Sequence, residues 1–223
     1  KLWRADALVQ LTPDWHVRLR RASRTAVLMP TVRTMPRKRR SSKTPRRREV
    51  IDLTLVEFLV NNEQKIVHSP AVDHILDQAT PLLRAGDGAG AEYLYRQAIQ
   101  LEPDKVDLLN NLAASLSLQG REAEATLLLE ILHYQHPDYL FARTGLAKAA
   151  MRNGDLDKAQ ALLEPLYQRR KFHVSEYDSL CATQIDLLLL QNDRISANAW
   201  FKMWEDCNPE NPKLGFYHNL LRK

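Results

Sequence analysis

At 223 residues, with 44% apolar and 26% charged side chains, the chain has the composition of an ordinary globular protein of one or two domains. It holds no run of 18 apolar residues and no N-terminal apolar stretch of secretion-signal length, so neither a membrane span nor a signal peptide is expected. The net charge of +5 hides a split: residues 1–50 carry 15 Lys and Arg against 3 acids, a balance of +12, and residues 51–223 carry 17 against 24, a balance of −7. Such asymmetry is expected of a basic arm joined to a separately folded acidic body. Cys181 and Cys207 form no CxxC pair and read as small apolar side chains of a reducing compartment. The chain opens on Lys1 in place of Met, which reads as a fragment or a processed chain.

In chain order, residues 1–32 hold short apolar stretches broken by Pro13 and Pro30, and neither the helical nor the strand period lasts. Short strands or a turn of helix, packed on something else, are the expectation there. Residues 33–49 are dominated by Arg37, Lys38, Arg39, Arg40, Lys43, Arg46, Arg47 and Arg48. They offer too little apolar surface to offset their ordering entropy and read as a flexible basic linker. Across 50–69, Ile51, Leu55, Phe58 and Leu59 fall at i, i+4, i+7 and i+8, which predicts a helix preceding the body. Ser69-Pro70 then signals an N-cap with Pro in the first turn, opening the next helix.

A repeat begins at this point. Gly86, Gly120 and Gly154 lie 34 residues apart; Ala91, Ala125 and Ala159 follow each by five, and Pro103 and Pro137 follow the first two by seventeen. The fourth set, Asn192, Ala197, Phe201 and Pro209, is displaced by 38, which places a four-residue insertion in the region 171–177. A period of 34 accommodates two helices of about four turns with tight connections. Each glycine ends a first helix in a left-handed conformation, each alanine marks a close helix crossing, and each proline stops a second helix. Leu82, Leu116, Ala150, Tyr95, Leu129, Leu163 and Phe201 are the expected interhelical core.

These residues resemble the tetratricopeptide-repeat family, the second unit most closely through Leu109, Leu112, Ala113, Leu116, Gly120, Ala125, Leu129, Leu132 and Pro137. The third unit departs furthest, with Arg143 and Lys171 at the family's Trp and Pro places and Pro165 inside its second helix; Pro81 should kink or offset the first helix of unit one. The resemblance implies an all-α, right-handed α-solenoid of helix–turn–helix pairs over residues 70–212, with 213–223 starting a capping helix.

It also implies a concave groove that takes a partner peptide or helix. On that face fall Asn110, Asn111, Ala114, Thr144, Lys148, Arg152, Thr183 and Asp186, together with Leu76, Thr80, Leu83, Asp107, Gly145 and Ala182. Asn110-Asn111 leads this set, because an Asn side chain can both donate to and accept from a bound backbone. The clamp by which chaperone-binding members grip a C-terminal carboxylate corresponds to Leu76, Thr80, Asn111, Phe141 and Gly145. Only Asn111 matches, so a carboxylate would be desolvated without a cation, and no chaperone-tail binding is expected.

The catalytic motifs are missing: no HExxH, GxSxG, Walker loop or GxGxxG occurs, and Gly86–Gly90 is a turn between helices. His133 and His136 complement a helix C-terminus rather than ligate a metal, and Trp200 and Trp204 read as core. The expectation is a protein-interaction adaptor, neither an enzyme nor a cofactor binder, residing in the cytoplasm or, in a eukaryote, the nucleus. The alternative is a nucleic-acid-associated subunit whose basic residues 33–48 contact phosphates while the array docks to an enzyme or regulator.

Overall fold

The computed structural model describes residues 27–30, 53–56, 59–61 and 66–222. Among these, nine α-helices succeed one another: α1 (Pro70–Ala85), α2 (Gly88–Leu101), α3 (Val106–Leu118), α4 (Glu122–Gln135), α5 (Leu140–Arg152), α6 (Leu156–Leu163), α7 (Val174–Leu190), α8 (Arg194–Cys207) and α9 (Leu214–Arg222). They pair as α1–α2, α3–α4, α5–α6 and α7–α8, each pair packs on the next, and α9 packs on α8. This is an all-α repeat solenoid.

One left-handed residue turns each hairpin. Gly86, Gly120 and Gly154 have φ of 84°, 77° and 77°, and the fourth turn uses Asn192 at 61°. Asn is the side-chain-bearing residue that tolerates this region best. In all four turns the next N–H returns to the carbonyl five residues back: Asp87 to Leu82, Arg121 to Leu116, Asp155 to Ala150 and Asp193 to Leu188. Asp87, Asp155 and Asp193 then cap the following helix by accepting from the Gly90, Lys158 and Ser196 amides. The alanines of the register, Ala91, Ala125, Ala159 and Ala197, are buried at the crossings.

Two apolar cores meet at α5. One joins α1 to α5 through Leu76, Leu83, Tyr95, Leu112 and Leu132; the other joins α5 to α9 around Leu163, Tyr177, Ile185 and Trp204. Trp200 and Trp204 are buried in the second core, and α1 runs on through Pro81 to Ala85.

The third unit is irregular for a covalent reason. Pro165 cannot donate an amide, so α6 stops at Leu163 and continues as a 3-10 helix, Glu164–Gln168. The residues that lengthen this repeat form an extra turn, Val174–Tyr177, at the start of α7. His173 and Glu176 close that turn as a capping box, and Arg169 donates to Glu176 at 3.0 Å.

A helix is expected over 50–69, and among the described residues of that range none is found. Leu53–Val56 (β2) pairs antiparallel with Val27–Pro30 (β1), and Leu59–Asn61 (β3) pairs parallel with Lys171–His173 (β4). The helical spacing of Ile51, Leu55, Phe58 and Leu59 competes with the Leu-Thr-Leu-Val run of β2, and the distant partner strands decide the outcome. Helix begins only at Pro70, where Ser69 makes no side-chain cap and instead donates its amide to Glu102 at 2.7 Å. The basic residues 33–48 and all of 1–32 except Val27–Pro30 lie outside the described residues.

Candidate partner-binding face

The sequence places eight residues on the inner face of α3, α5 and α7, and the structure finds most of them inside the array. Asn110 and Asn111 are 7% and 2% exposed, Thr144 and Lys148 are 2% and 8%, and Thr183 is fully buried; Ala114, Arg152 and Asp186 are half-buried. Several of their polar atoms are taken within the array. Thr144 Oγ1 meets Ser179 Oγ at 3.0 Å, joining α5 to α7. Thr183 Oγ1 donates to the Ser179 carbonyl, Arg152 donates to Glu122 of α4 at 2.6 Å, and Asp186 accepts from the Tyr217 hydroxyl of α9. Leu76, Leu83 and Ala182 belong to the cores instead of the groove, because the apolar stripe of each helix turns toward its neighbours. Gly145 also faces inward: a Cβ there would stand 2.8 Å from Leu129 of α4.

The second unit differs. Asn111 Oδ1, Asp107 Oδ1 and the Tyr95 hydroxyl are buried without a hydrogen-bond partner. They come from facing helices, α2 and α3, with Asp107 and Asn111 one turn apart on α3. Burial pushes the Tyr95 hydroxyl pKa up, and the Asp107 carboxylate adds to that; the side chains of Thr80 and Asn111 lie beside it. Two unsatisfied acceptors one turn apart on α3 suit a ligand that brings N–H donors. Each such orphan costs about 1–3 kcal/mol until something satisfies it.

The other oxygen of Asp107 is occupied. His68 places Nε2 2.8 Å from Asp107 Oδ2 and Nδ1 2.7 Å from Glu102 Oε2, with its side chain almost fully buried. The Ser69 amide and His68 hold the Glu102 carboxyl down at about 2, and Lys105 Nζ donates to the Val67 carbonyl at 2.6 Å. Tyr139, at the start of α5, has its hydroxyl pKa pushed well up by burial, with the carboxylates of Asp107 and Glu176 adding to the effect. Sequence pattern did not reveal His68 or Glu102, since a lone His before a helix carries no periodic signal, and it placed Tyr95 in the core alone.

No group of three metal-ligating side chains is gathered among the described residues, and no helix there is long and apolar enough to cross a membrane. Near the far end, Asp178 of α7 accepts from Trp204 Nε1 at 2.7 Å and from Asn208 Nδ2 at 3.1 Å. Burial raises the pKa of that carboxyl, and the two donors act against the rise.

A tetratricopeptide-repeat family model matches residues 94–126, from mid-α2 through α3 into α4. That stretch is the part of the chain that is similar to the family. Solved structures similar to it include a tetratricopeptide repeat protein from Parabacteroides merdae, 17% identical, covering 69% of this chain and 60% of that one with a TM-score of 0.40. MamA of AMB-1 is 18% identical and covers 69% of this chain and 91% of its own, also with a TM-score of 0.40. Neither adds anything about what this chain binds. No curated protein matches it. The described residues from 70 to 222 form a helical repeat.

Proposed function

We propose that this protein is an adaptor whose array takes an extended segment of a partner protein on the inner face of its first two units, centred on Asn110, Asn111 and Asp107. The observation that supports it is the pair of unsatisfied buried acceptors, Asn111 Oδ1 and Asp107 Oδ1, one turn apart on α3 in the unit that keeps the repeat pattern best. A backbone amide or a basic side chain from a partner would complete them. In the opposite half, Thr144, Thr183 and Asp186 are bonded within the array. The test is affinity for the captured partner with Asn110→Ala and Asn111→Ala introduced together. A tenfold or greater loss is expected, and unchanged affinity would move the site elsewhere.

A second reading rests on charge. The +12 balance of residues 1–50 against −7 in the rest favours phosphate contacts by Arg37–Arg40, Lys43 and Arg46–Arg48 while the array holds a protein. Binding of the full chain to DNA or RNA at about 50 mM salt, with a steep log–log salt slope, is the outcome it requires. Absence of binding at that salt removes it.

A further inference from the structure

The inner face of the array is acidic in its first two units. Residues 34 apart hold equivalent places on successive first helices, so Asp73 and Asp77 of α1 match Asp107 and Asn111 of α3. The next two units carry Phe141, Gly145, Ser179 and Thr183 at those places, without a charge. A first-turn acid complements the helix dipole, which accounts for Asp73 and Asp107. Asp77 stands beyond the first turn of α1, exposed, and has no such role. Tyr95 of α2 ties the two helices together, because the side chains of Thr80 of α1 and Asn111 of α3 lie beside its hydroxyl. Connections of two and four residues turn the chain back at α2 and forward again at α3, so α1 and α3 run the same way. Asp77 precedes Thr80 by three residues and Asp107 precedes Asn111 by four, which puts both carboxyl groups one turn before that junction. Asp107 and Asn111 are 4% and 2% exposed, and each keeps an Oδ1 without a hydrogen-bond partner. His68 takes only Oδ2 of Asp107, Lys105 is turned to the Val67 carbonyl and Glu102, and Arg84 lies one turn past Thr80, beyond the junction.

We propose that the partner segment inserts an arginine side chain here, with Asp77 at the rim and Asp107 Oδ1 and Asn111 Oδ1 at the floor. The proposal rests on the adaptor reading and states the chemistry that its partner carries. Both Oδ1 atoms are buried, so a side chain with a long stem reaches them where a backbone laid across the face does not. They accept and cannot donate, and a carboxylate among them favours a cation over a neutral donor. A guanidinium fans five N–H donors in one plane and serves acceptors on two helices at once, whereas an ammonium is a compact point charge. Such a side chain fills acceptors that are already desolvated, which is where a charged pair contributes most to binding. The equivalent places of units three and four hold a ring, a glycine and two hydroxyls, and both hydroxyls are bonded within the array. The segment is therefore held in one register, with its arginine at the first two units.

The test titrates the full chain with two acetylated, amidated alanine peptides, one with a central arginine and one with a central citrulline, which keeps the shape and loses the charge. Binding is read from the amide shifts of the isotope-labelled chain at about 50 mM salt, where charge contacts are only partly screened. The arginine peptide is expected to bind about tenfold more tightly than the citrulline peptide. Asp77→Asn should reduce that preference to about threefold, and Asp77→Asn with Asp107→Asn should abolish it. Asp157→Asn removes an exposed acid from α6 and should leave the preference unchanged, which separates the site from the general acidity of the array. If the doubly changed chain does not fold, Asp77→Asn decides alone, since Asp77 is exposed. Equal binding of the two peptides, or binding of neither, overturns the proposal and leaves the buried oxygens to internal water. So does a preference that Asp77→Asn leaves as large as Asp157→Asn does. Either result leaves the adaptor reading standing, since that reading is decided by partner affinity with Asn110→Ala and Asn111→Ala.

Discussion

The two halves of the array solve the same packing problem differently. Units one and two keep the period, use glycine turns, and leave Tyr95, Asp107 and Asn111 with unsatisfied buried atoms. Units three and four break the period with Pro165, an added turn of α7 and an Asn turn, and they close their polar groups on one another: Thr144 with Ser179, Tyr167 with Gln184, Asp186 with Tyr217, Asp178 with Trp204 and Asn208. Irregular repeats are held by specific bonds, which makes them poor places for a ligand. The regular repeats also carry polar bonds, His68 to Asp107 and Arg121 to Glu92, yet keep Asn111 Oδ1 and Asp107 Oδ1 unsatisfied.

Several substitutions would break or sharpen this contrast. The largest effect is expected at Trp204, which is fully buried and bonded to Asp178. Trp204→Ala should cost about 3–5 kcal/mol in urea unfolding, since it empties the core and deprives Asp178 of a donor. A cost under about 1 kcal/mol would mean the irregular half is not held by this knot. Next is Gly120→Ala, which puts a Cβ on a left-handed residue and should cost about 1–2 kcal/mol. Asn192→Gly at the equivalent turn should change stability by less than about 0.5 kcal/mol, because Asn already tolerates that conformation. The smallest is Tyr95→Phe. With no partner for its hydroxyl, the change should be neutral or slightly stabilising by urea unfolding, whereas a loss above about 1 kcal/mol would show a bond the regular half is said to lack.

Acid titration gives an independent check on the His68 anchor. Glu102 is held at about 2 against an ordinary 4.5. Its folded-state pKa is depressed, so the stability it contributes is present above 4.5 and is lost as pH falls from there through about 2. Glu102→Gln should flatten the acid limb of the unfolding profile in that window and lower the plateau above it. An unaltered acid limb would place the Ser69 and His68 contacts outside the stability of the array.

Much of the fold was legible in the sequence because the repeat is local. Gly86, Gly120 and Gly154 announce their turns, and Asn192 and Ala197 reveal the fourth unit once a four-residue shift is allowed. The strands were not legible. Leu55, Phe58 and Leu59 carry a helical spacing, and only the distant β1 and β4 turn that stretch into strands. The candidate face was legible in its helices but not in its chemistry. Spacing places Asn110 opposite Thr144, and Asn111 opposite Gly145 and Thr183; it cannot say that Ser179 takes Thr144, that the Ser179 carbonyl takes Thr183, and that Asn111 Oδ1 is left unpaired.

The most direct measurement compares the two halves in one binding experiment. Partner affinity is measured for the chain with Asn110→Ala and Asn111→Ala and, separately, with Thr144→Val and Thr183→Val, each confirmed folded by circular dichroism. The account predicts at least a tenfold loss for the Asn pair and less than a twofold change for the Thr pair. Equal losses, or a larger loss for the Thr pair, would contradict it.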